Sequence, residues 1–387
     1  TSASAAEVSQ RAQQWLTSHR YRFVVDDDGS LRAEAGRHRE TGNLVFHIFL
    51  VFVLVGVGWN TLWGFKGTSV VVEGQGFSNS ITQYDEFKAG AMVDTDNLTP
   101  FSMKLRKFVV SFETGTVQRG AARSFDATVD LTMGGKTQTR DLQVNHPLRI
   151  GSTKVHLLGH GYAADVVVRD GDGKVAYSGP VVFLPQDANF KSVGVIKVPD
   201  ARPDRLAFQG FFLPTGAITA GGPTSLFPDA LNPQLYLTAW YGKPTVETGV
   251  PSNIYTLDTT GLTQVTNGKD KARFVLSPGQ RYKLPDGKGS IQFNGWQRWA
   301  KIQVSQNPGL PLTFLSVVLS VAGLCVSLFS RSRRVWVRTI PGDDGLRVEI
   351  GGLDRSDSRS GAVDDVNSLL AALHGDSMSG DVGEEHS

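Results

Sequence analysis

Residues 44–65 read LVFHIFLVFVLVGVGWNTLWGF, and residues 309–329 read GLPLTFLSVVLSVAGLCVSLF. Neither stretch contains Asp, Glu, Lys or Arg. Each is about 20 residues long, which is the length an α-helix needs to cross the hydrocarbon core of a bilayer. The sequence therefore predicts a membrane protein with two transmembrane helices.

Basic residues are concentrated on one side of both predicted spans. Arg32, Arg37 and Arg39 precede the first span, whereas Lys66 is the first basic residue after it. The second span is followed by a group of arginines: Arg331, Arg333, Arg334, Arg338 and Arg347. By the positive-inside rule, both termini are expected in the cytoplasm and the middle of the chain outside the plasma (cytoplasmic) membrane.

This orientation predicts five consecutive regions. They are a cytoplasmic segment (1–43), a transmembrane helix (44–65), an extracytoplasmic domain (66–308), a second transmembrane helix (309–329) and a cytoplasmic C-terminal segment with a disordered tail (330–387). The first residue is Thr, and no signal-peptide pattern precedes the first span. We expect the chain to be a fragment that starts inside a longer protein.

The extracytoplasmic region has the pattern of β-structure. Residues 104–113, 124–133 and 136–144 are rich in β-branched side chains with partial alternation. The Asp-Gly pairs at 170–173 separate two such runs, which is typical of a β-hairpin. The sequence predicts a mainly antiparallel domain, sandwich- or barrel-like. Residues 199–235 are rich in Pro and Gly and are predicted to form a long ordered loop.

The cytoplasmic segments have a small α+β pattern. Residues 6–19 and 362–374 have apolar residues at helical spacing. Residues 23–35 are predicted to form a hairpin, and RVWVRTI (334–340) and GLRVEIGGL (345–353) two more strands. The last dozen residues are polar and acidic, and we expect them to be disordered.

Several function classes lack their sequence motifs. No Walker loop, G-x-S-x-G elbow or dinucleotide-binding glycine motif is present, and there is no C-x-x-C-H sequence. No basic run interleaved with aromatics indicates nucleic acid. Cys325 is the only cysteine, so no disulfide is expected. The sequence predicts no catalytic residues.

His47 is the most informative polar residue of the first span. It lies about three residues inside the apolar stretch, so roughly 5 Å beyond its cytoplasmic boundary. An ionisable side chain at such a position is a functional hypothesis by default, beside the structural reading that it bonds a neighbouring helix or reaches the interface. It could bond a neighbouring helix, relay protons, or ligate a metal or haem iron. The residue alone does not distinguish these alternatives.

Three further histidines lie close together in the outer region. His146, His156 and His160 fall within VNHPLRIGSTKVHLLGH. Their local pattern is that of a strand, and no carboxylate or cysteine completes a ligand set. We therefore predict no metal site here, and we expect His146, before Pro147, to shape the start of a strand.

Several longer segments resemble one protein family. GNLVFHIFLVFVLVGVGWNTLWGFKGTSVVVEGQGFSNS (42–80) resembles the third membrane span of ResB, also called CcsB. VNHPLRIGSTKVHLLGHGYA (144–163) is similar to a stretch of that family's outer domain. LFPDALNPQLYLTAWYG (226–242) and SLFSRSRRVWVR (327–338) are similar to its actinobacterial branch. The family's usual chain has two spans ahead of this one, so the resemblance also implies an N-terminally truncated fragment.

The resemblance implies a role in system II cytochrome c biogenesis. In that system ResB and a ResC/CcsA-type membrane protein bring haem across the membrane for covalent attachment to apocytochrome c. His47 matches the membrane histidine that is thought to ligate haem, so the resemblance implies that His47 is an axial ligand of a transient haem b. No other histidine lies within residues 44–65 or 309–329, so the second ligand is expected from the partner.

The expected role is that of a non-catalytic subunit of a haem-handling complex. Two alternatives remain. One is a non-enzymatic envelope sensor or scaffold that displays the β domain. The other is a transporter subunit that uses His47 as a proton relay, although Asn60 and Thr61 are among the few other polar residues of the spans.

Overall fold

The computed structural model describes residues 4–244, 255–330, 332–342, 345–354 and 361–374. Within them lie the α-helices α1 (Ala5–Ser18), α2 (His38–Trp63), α3 (Leu310–Phe329) and α4 (Gly361–His374), and short 3₁₀ helices at Ile81–Gln83 and Pro285–Gly287. The predicted disordered tail lies outside the described residues.

The strands follow in chain order. They are β1 Arg22–Val25, β2 Leu31–Ala35, β3 Phe65–Val72, β4 Gly76–Ser78, β5 Glu86–Ala89, β6 Ser102–Phe112, β7 Ala122–Met133, β8 Lys136–Gln143, β9 Leu148–Ile150, β10 Thr153–Arg169, β11 Val175–Pro185, β12 Ser192–Val198, β13 Arg205–Leu213, β14 Gly216–Thr219, β15 Gly222–Ser225, β16 Gln234–Gly242, β17 Thr263–Gln264, β18 Thr266–Asn267, β19 Asp270–Lys271, β20 Arg273–Leu276, β21 Arg281–Lys283, β22 Ser290–Gln306, β23 Arg333–Gly342 and β24 Gly345–Asp354.

The chain divides into two compact units. One comprises Thr1–Asn60 and Gly309–Ser387, and the other comprises Thr61–Pro308. The first contains the four helices and one small sheet, with α2 running into the second unit at its last residues. The second contains the remaining strands.

Helices α2 and α3 are both long and apolar enough to cross a membrane. The 26 residues of α2 extend about 39 Å at 1.5 Å per residue. This helix begins six residues before the predicted start at 44, because the polar residues from His38 onward continue the helical hydrogen bonding. It also ends before the predicted residue 65, since Phe65 is buried as the first residue of β3.

The small sheet of the first unit has the order β1-β2-β23-β24. Its inner face packs on α1 and α4 through a core that includes Val8, Leu16, Val335 and Leu369. Ser4 begins α1 with a capping box in which the Ser4 hydroxyl accepts from the Glu7 amide. The predicted helices, hairpin and strands of the cytoplasmic segments are all present in the described residues.

The second unit is built on one twelve-stranded sheet and a four-stranded sheet. The long sheet has the main path β17-β16-β13-β12-β11-β10-β22-β3-β5, and the shorter one the order β4-β6-β7-β8. Paired strands in both sheets are antiparallel, as predicted.

Two apolar cores hold these sheets together. In the first, side chains of the shorter sheet such as Met103 and Val129 pack against Val155 and Val304 of the long sheet, as in a β-sandwich. In the second, the long sheet contributes residues from β10, β11, β12, β13, β16, β20 and β22 to a single cluster, so it curves around that core.

The prediction of a long loop over 199–235 is wrong. Strand β13 (Arg205–Leu213) lies inside this range and pairs along its length with β12 on one side and β16 on the other. Its sequence, RLAFQGFFL, does not alternate between apolar and polar residues because both faces of this strand are covered. Ala207 is buried on one face, and Phe208 and Phe212 on the other. Strands β14 and β15 form a further small hairpin within the same range.

Candidate functional site

Helices α2 and α3 pack closely through small residues. A Cβ atom on Gly42 would lie 2.6 Å from the carbonyl oxygen of Gly323, and one on Gly309 would overlap the carbonyl of Gly56. Because Gly42 meets the end of α3 and Gly56 meets its start, the two helices run antiparallel. Glycine permits this close approach, as it does at helix contacts in membranes.

His47 lies on a different side of α2 from this contact. Nine residues separate it from Gly56, which at 100° per residue places it on the opposite face. Its ring Nδ1 lies 2.8 Å from the carbonyl oxygen of Asn43, so Nδ1 carries the proton and donates it. The other ring nitrogen, Nε2, then carries the free lone pair, which is the form that binds metal ions.

The surface around His47 is exposed and apolar. His47 shares its face of the helix with Val51, Leu54 and Gly58, since they follow at i+4, i+7 and i+11. The exposed fractions of Val51 and Leu54 are 59% and 68%, and nothing lies within 4 Å of a Cβ built on Gly58. A flat apolar macrocycle could lie on these apolar side chains while its metal ion takes the His47 imidazole as an axial ligand.

Helix α2 contains a second histidine, His38, at its first residue. It lies nine residues before His47, or about 14 Å along the axis. Nine residues at 100° each also turn the two side chains to opposite faces of α2. The two axial ligands of one haem iron lie on a single line through it, so His38 and His47 are not placed to bind the same iron. Among the described residues of α3 there is no histidine.

The three histidines of the second unit do not form a cluster. His146 is exposed, and its Nδ1 lies 3.3 Å from the carbonyl oxygen of Val144. His156 and His160 both lie on β10, opposite Gln303 and Ala300 of β22. Within the described part of the chain, no group of three or more His, Cys, Asp or Glu side chains could hold a metal ion.

A β-bulge separates the environments of His156 and His160. The register of β10 against β22 shifts between Leu157 and Gly159. Before the shift the odd-numbered residues of β10, such as Val155, face the core, and after it even-numbered ones do, His160 among them. His156 therefore stays half-buried on one face while His160 points inward.

His160 is enclosed by aromatic side chains. It is 9% exposed and stacks on Phe190, with ring centroids 4.6 Å apart. The rings of Phe108, Phe112 and Phe125 lie 5.1–6.2 Å away. Burial, and next the nearby Arg298 guanidinium, lower the pKa of His160 to about 4. The ring is therefore neutral at pH 7, and its Nδ1 is buried with no hydrogen-bond partner among the described residues.

Arg298 ties this aromatic cluster to a neighbouring loop. It is 6% exposed, and its Nη2 donates to Oδ1 of Asp229 at 2.7 Å. Its guanidinium lies 4.9 Å from the ring centroid of Tyr162, whose hydroxyl donates to the carbonyl of Pro228 at 2.7 Å. This arrangement is a hydrogen-bonded ion pair between a buried arginine and a partly exposed aspartate, rather than a site with an approachable nucleophile.

The sequence analysis did not identify Arg298, Asp229 or Tyr162. A usable signal for Arg298 was present, because it alternates with Ala300 and Ile302 along β22 and so occupies a core-facing position. A buried arginine in that pattern requires an acceptor for its guanidinium. Asp229 lies far away in sequence, so its identity as that acceptor follows only from the fold.

Comparisons with known proteins identify a family for the chain. A family model described as ResB-like matches residues 1–363. A curated protein of Synechococcus sp. (strain JA-3-3Ab), named cytochrome c biogenesis protein CcsB, is 22% identical over 316 residues, covering 81% of this chain and 55% of that protein.

Two more relatives carry the same name. The protein of Microcystis aeruginosa is 20% identical over 331 residues, covering 85% of this chain and 60% of its own length. That of Picosynechococcus sp. is 28% identical over 136 residues, covering 35% and 27%. The chain spans about half the length of the curated relatives it matches most extensively. The family match covers nearly the whole chain, and the chain belongs to the ResB-like family.

Proposed function

We propose that this chain is part of a membrane subunit that handles haem during cytochrome c biogenesis, with His47 as an axial ligand of haem b. The relatives named cytochrome c biogenesis protein CcsB support the assignment to this process. The observation that carries the role of His47 is the 2.8 Å contact between its Nδ1 and the carbonyl oxygen of Asn43, because this contact leaves Nε2 on an uncovered face of α2.

The side chains of α2 fit haem as cargo. Haem iron accepts an axial imidazole, and the macrocycle is apolar. Nε2 of His47 supplies the ligand atom, and the hydrogen bond to Asn43 fixes the orientation of the ring. Val51 and Leu54 supply exposed apolar surface on the same face.

The arrangement of the chain in the membrane is part of the proposal. Helices α2 and α3 cross the bilayer, the small sheet lies in the cytoplasm, and the second unit lies outside. The arginines next to the polar ends of both helices support this orientation. It places His47 close to the cytoplasmic face, where a subunit that accepts haem from inside the cell requires its first ligand.

A partner protein completes the site. His38 lies on the opposite face of α2 from His47, and α3 supplies no histidine among its described residues. We propose that a ResC/CcsA-type membrane protein covers the His47 face, supplies that ligand, and presents the haem with this subunit to apocytochrome c. The chain itself is then a non-catalytic subunit of the complex.

The test uses the full-length protein co-purified with its ResC-type partner. The absorption spectrum of bound haem is recorded for the wild type, for His47→Ala and for His38→Ala, and the amount of mature cytochrome c is measured in the same cells. Because His38 lies on the same helix, its variant controls for loss of a histidine near the membrane surface.

We expect His47→Ala to lose or shift the haem spectrum and to lower cytochrome c maturation, with His38→Ala unchanged. Equal haem in all three proteins would confine binding to the partner and refute the role of His47. Absence of haem from all three, with normal maturation in the variants, would instead favour a scaffold that displays the β domain.

A further inference from the structure

The outer face of the small sheet forms a basic groove. Helices α1 and α4 cover the inner face of this sheet, where Leu31, Val335 and Val337 pack. The opposite face carries a groove of about 600 Å³. Its lining includes four arginines and one tryptophan: Arg22, Arg32, Arg37, Arg334 and Trp336. One glutamate, Glu34, is the acidic residue among the lining side chains.

Strand register assembles this groove from separate parts of the chain. Arg22 lies opposite Glu34, which lies opposite Arg334, in one row across β1, β2 and β23. In the next row on the same face, Arg32 lies between Val24 and Trp336. The two-residue period of each strand thus directs arginines and two apolar side chains to one surface.

The arginines of the groove are incompletely neutralised. Arg32 pairs with Asp26 at 2.5 Å, and Arg334 lies 3.7 Å from Glu34. Arg22 and Arg37 form no ion pair with the residues that the structure describes, and both are exposed. The groove therefore has an excess of positive charge that favours an anionic ligand.

Apolar surface is exposed beside this charge. Trp336 is 37% exposed and Val24 is 60% exposed. Tryptophan is the residue most enriched where a membrane meets water, because its ring is apolar and its N–H is polar. A ligand with an anionic group next to an apolar part fits this combination better than a small soluble anion.

Short connections join the groove to both apolar helices. Only Gly36 and Arg37 separate β2 from α2, and residues 330–332 separate α3 from β23. Since an extended chain spans at most about 3.6 Å per residue, neither link exceeds roughly 15 Å between its flanking elements. Arg37 itself lines the groove and immediately precedes α2.

We propose that this groove binds the phosphate headgroups of anionic phospholipids and holds the small sheet against the cytoplasmic leaflet. The proposal rests on the transmembrane placement of α2 and α3 and is independent of haem. The cytoplasmic leaflet carries a negative surface potential that attracts arginines within a few ångströms of it. Trp336 and Val24 contact the apolar edge of the same headgroups.

The test places a fluorophore in the groove of the full-length protein. Cys325 is the only cysteine, so Cys325→Ala gives a background in which one new cysteine can be labelled. Val24→Cys carries the label in the groove, and Val363→Cys carries it on α4, where Val363 is 56% exposed. The proteins are reconstituted in nanodiscs of phosphatidylcholine alone or with phosphatidylglycerol, each with a nitroxide quencher on the phosphatidylcholine headgroup.

We expect the label at position 24 to be quenched more strongly when phosphatidylglycerol is present. The quenching of the label at position 363 should be the same in both lipid mixtures. In the labelled Val24→Cys protein, Arg22→Gln with Arg334→Gln should remove most of the increase in quenching that phosphatidylglycerol causes. Lysine at both positions should keep the response. Arg140→Gln is the control, since Arg140 is an exposed arginine of the other unit.

A label at Leu44→Cys tests the membrane placement of α2 separately from lipid binding in the groove. Leu44 is 59% exposed on α2, and its label is quenched in both lipid mixtures if the helix crosses the bilayer. Quenching at 44 without a phosphatidylglycerol effect at 24 would overturn the lipid groove alone. Loss of quenching at 44 would overturn the membrane placement, and the groove with it. Quenching at 24 by added haemin, with no response to phosphatidylglycerol, would also overturn the proposal, in favour of a site for a carboxylate-bearing ring.

Discussion

His47 and His160 are the same side chain in opposite environments. His47 lies in one of the two most apolar stretches of the sequence yet is exposed, with its Nε2 uncovered. His160 lies in a mixed polar segment yet is 9% exposed among phenylalanine rings. The difference arises because an apolar helix directs its side chains outward, whereas the β domain buries one face of each strand. Exposure, not local polarity, distinguishes the histidine proposed as a ligand from the one that supports a core.

Removal of the buried ring should have the largest effect on stability. We expect His160→Ala to lower the free energy of unfolding by about 3 kcal/mol, because it leaves a cavity among Phe108, Phe125 and Phe190. The measurement is urea unfolding of the whole chain in detergent, followed by near-ultraviolet circular dichroism. His156→Ala, on the same strand but only half-buried, is the control and should cost far less. Similar losses for both variants would contradict the environment assigned to His160.

The stability of the β domain should also depend on pH through His160. Its pKa is lowered from 6.5 to about 4 in the folded state, by burial and then by Arg298. Between these values the unfolded chain binds a proton that the folded chain does not. The stability contribution is therefore fully present well above pH 6.5, falls as the pH is lowered towards 4, and changes no further below that, with a total loss of roughly 3 kcal/mol.

His160→Phe isolates this contribution. The substitution keeps an aromatic ring of similar shape and removes the titrating group and the unpartnered Nδ1. The difference in unfolding free energy between wild type and variant, measured from pH 7 to pH 4, should grow in favour of the variant as the pH falls. A constant difference across this range would show that the histidine titrates equally in both states.

Loss of the buried cation should have a somewhat smaller effect. We expect Arg298→Met to lower the unfolding free energy by about 2 kcal/mol, since Asp229 loses its partner but its side chain is 37% exposed and can be hydrated. The double variant Arg298→Met/Asp229→Asn should lose less than the sum of the two single changes. Additive losses in this cycle would indicate that the pair is not coupled.

His47→Ala should have the smallest effect on stability. An exposed side chain whose one hydrogen bond goes to its own helix contributes under about 0.5 kcal/mol. The unfolding free energy of the chain without partner is the measurement, with His38→Ala as the reference. A loss as large as that of His160→Ala would mean that His47 is a structural residue, and the contrast between the two histidines would disappear.

Much of the fold could be predicted because the signals are local. The two apolar spans, the helices α1 and α4, and the hairpin at Asp170–Gly173 follow from composition, spacing and turn residues. Strand β13 could not be predicted in this way, because its stability depends on pairing with β12 and β16 along both edges. Its Pro- and Gly-rich surroundings indicated a loop, and only the sheet reveals a central strand.

For the candidate site, the sequence predicts which residue lies in the span but not how its side chain is bonded or oriented. The position of His47 in an apolar span is visible in the sequence, but its Nδ1–H bond and its uncovered face are properties of the folded helix pair. The inward orientation of His160 depends on a bulge in β10 after Leu157, which a regular two-residue alternation does not predict. Asp229 becomes the partner of Arg298 only when distant segments meet.

A ligand exchange at position 47 tests the central proposal most directly. The absorption spectrum of haem is measured in the full-length protein with its ResC-type partner, as wild type and as His47→Cys. A cysteine thiolate is itself a haem axial ligand, and it changes the electronic structure of the iron. We predict that the main haem band of His47→Cys moves away from its wild-type position while haem remains bound. An unchanged spectrum with full haem content would contradict the assignment of His47 as an axial ligand.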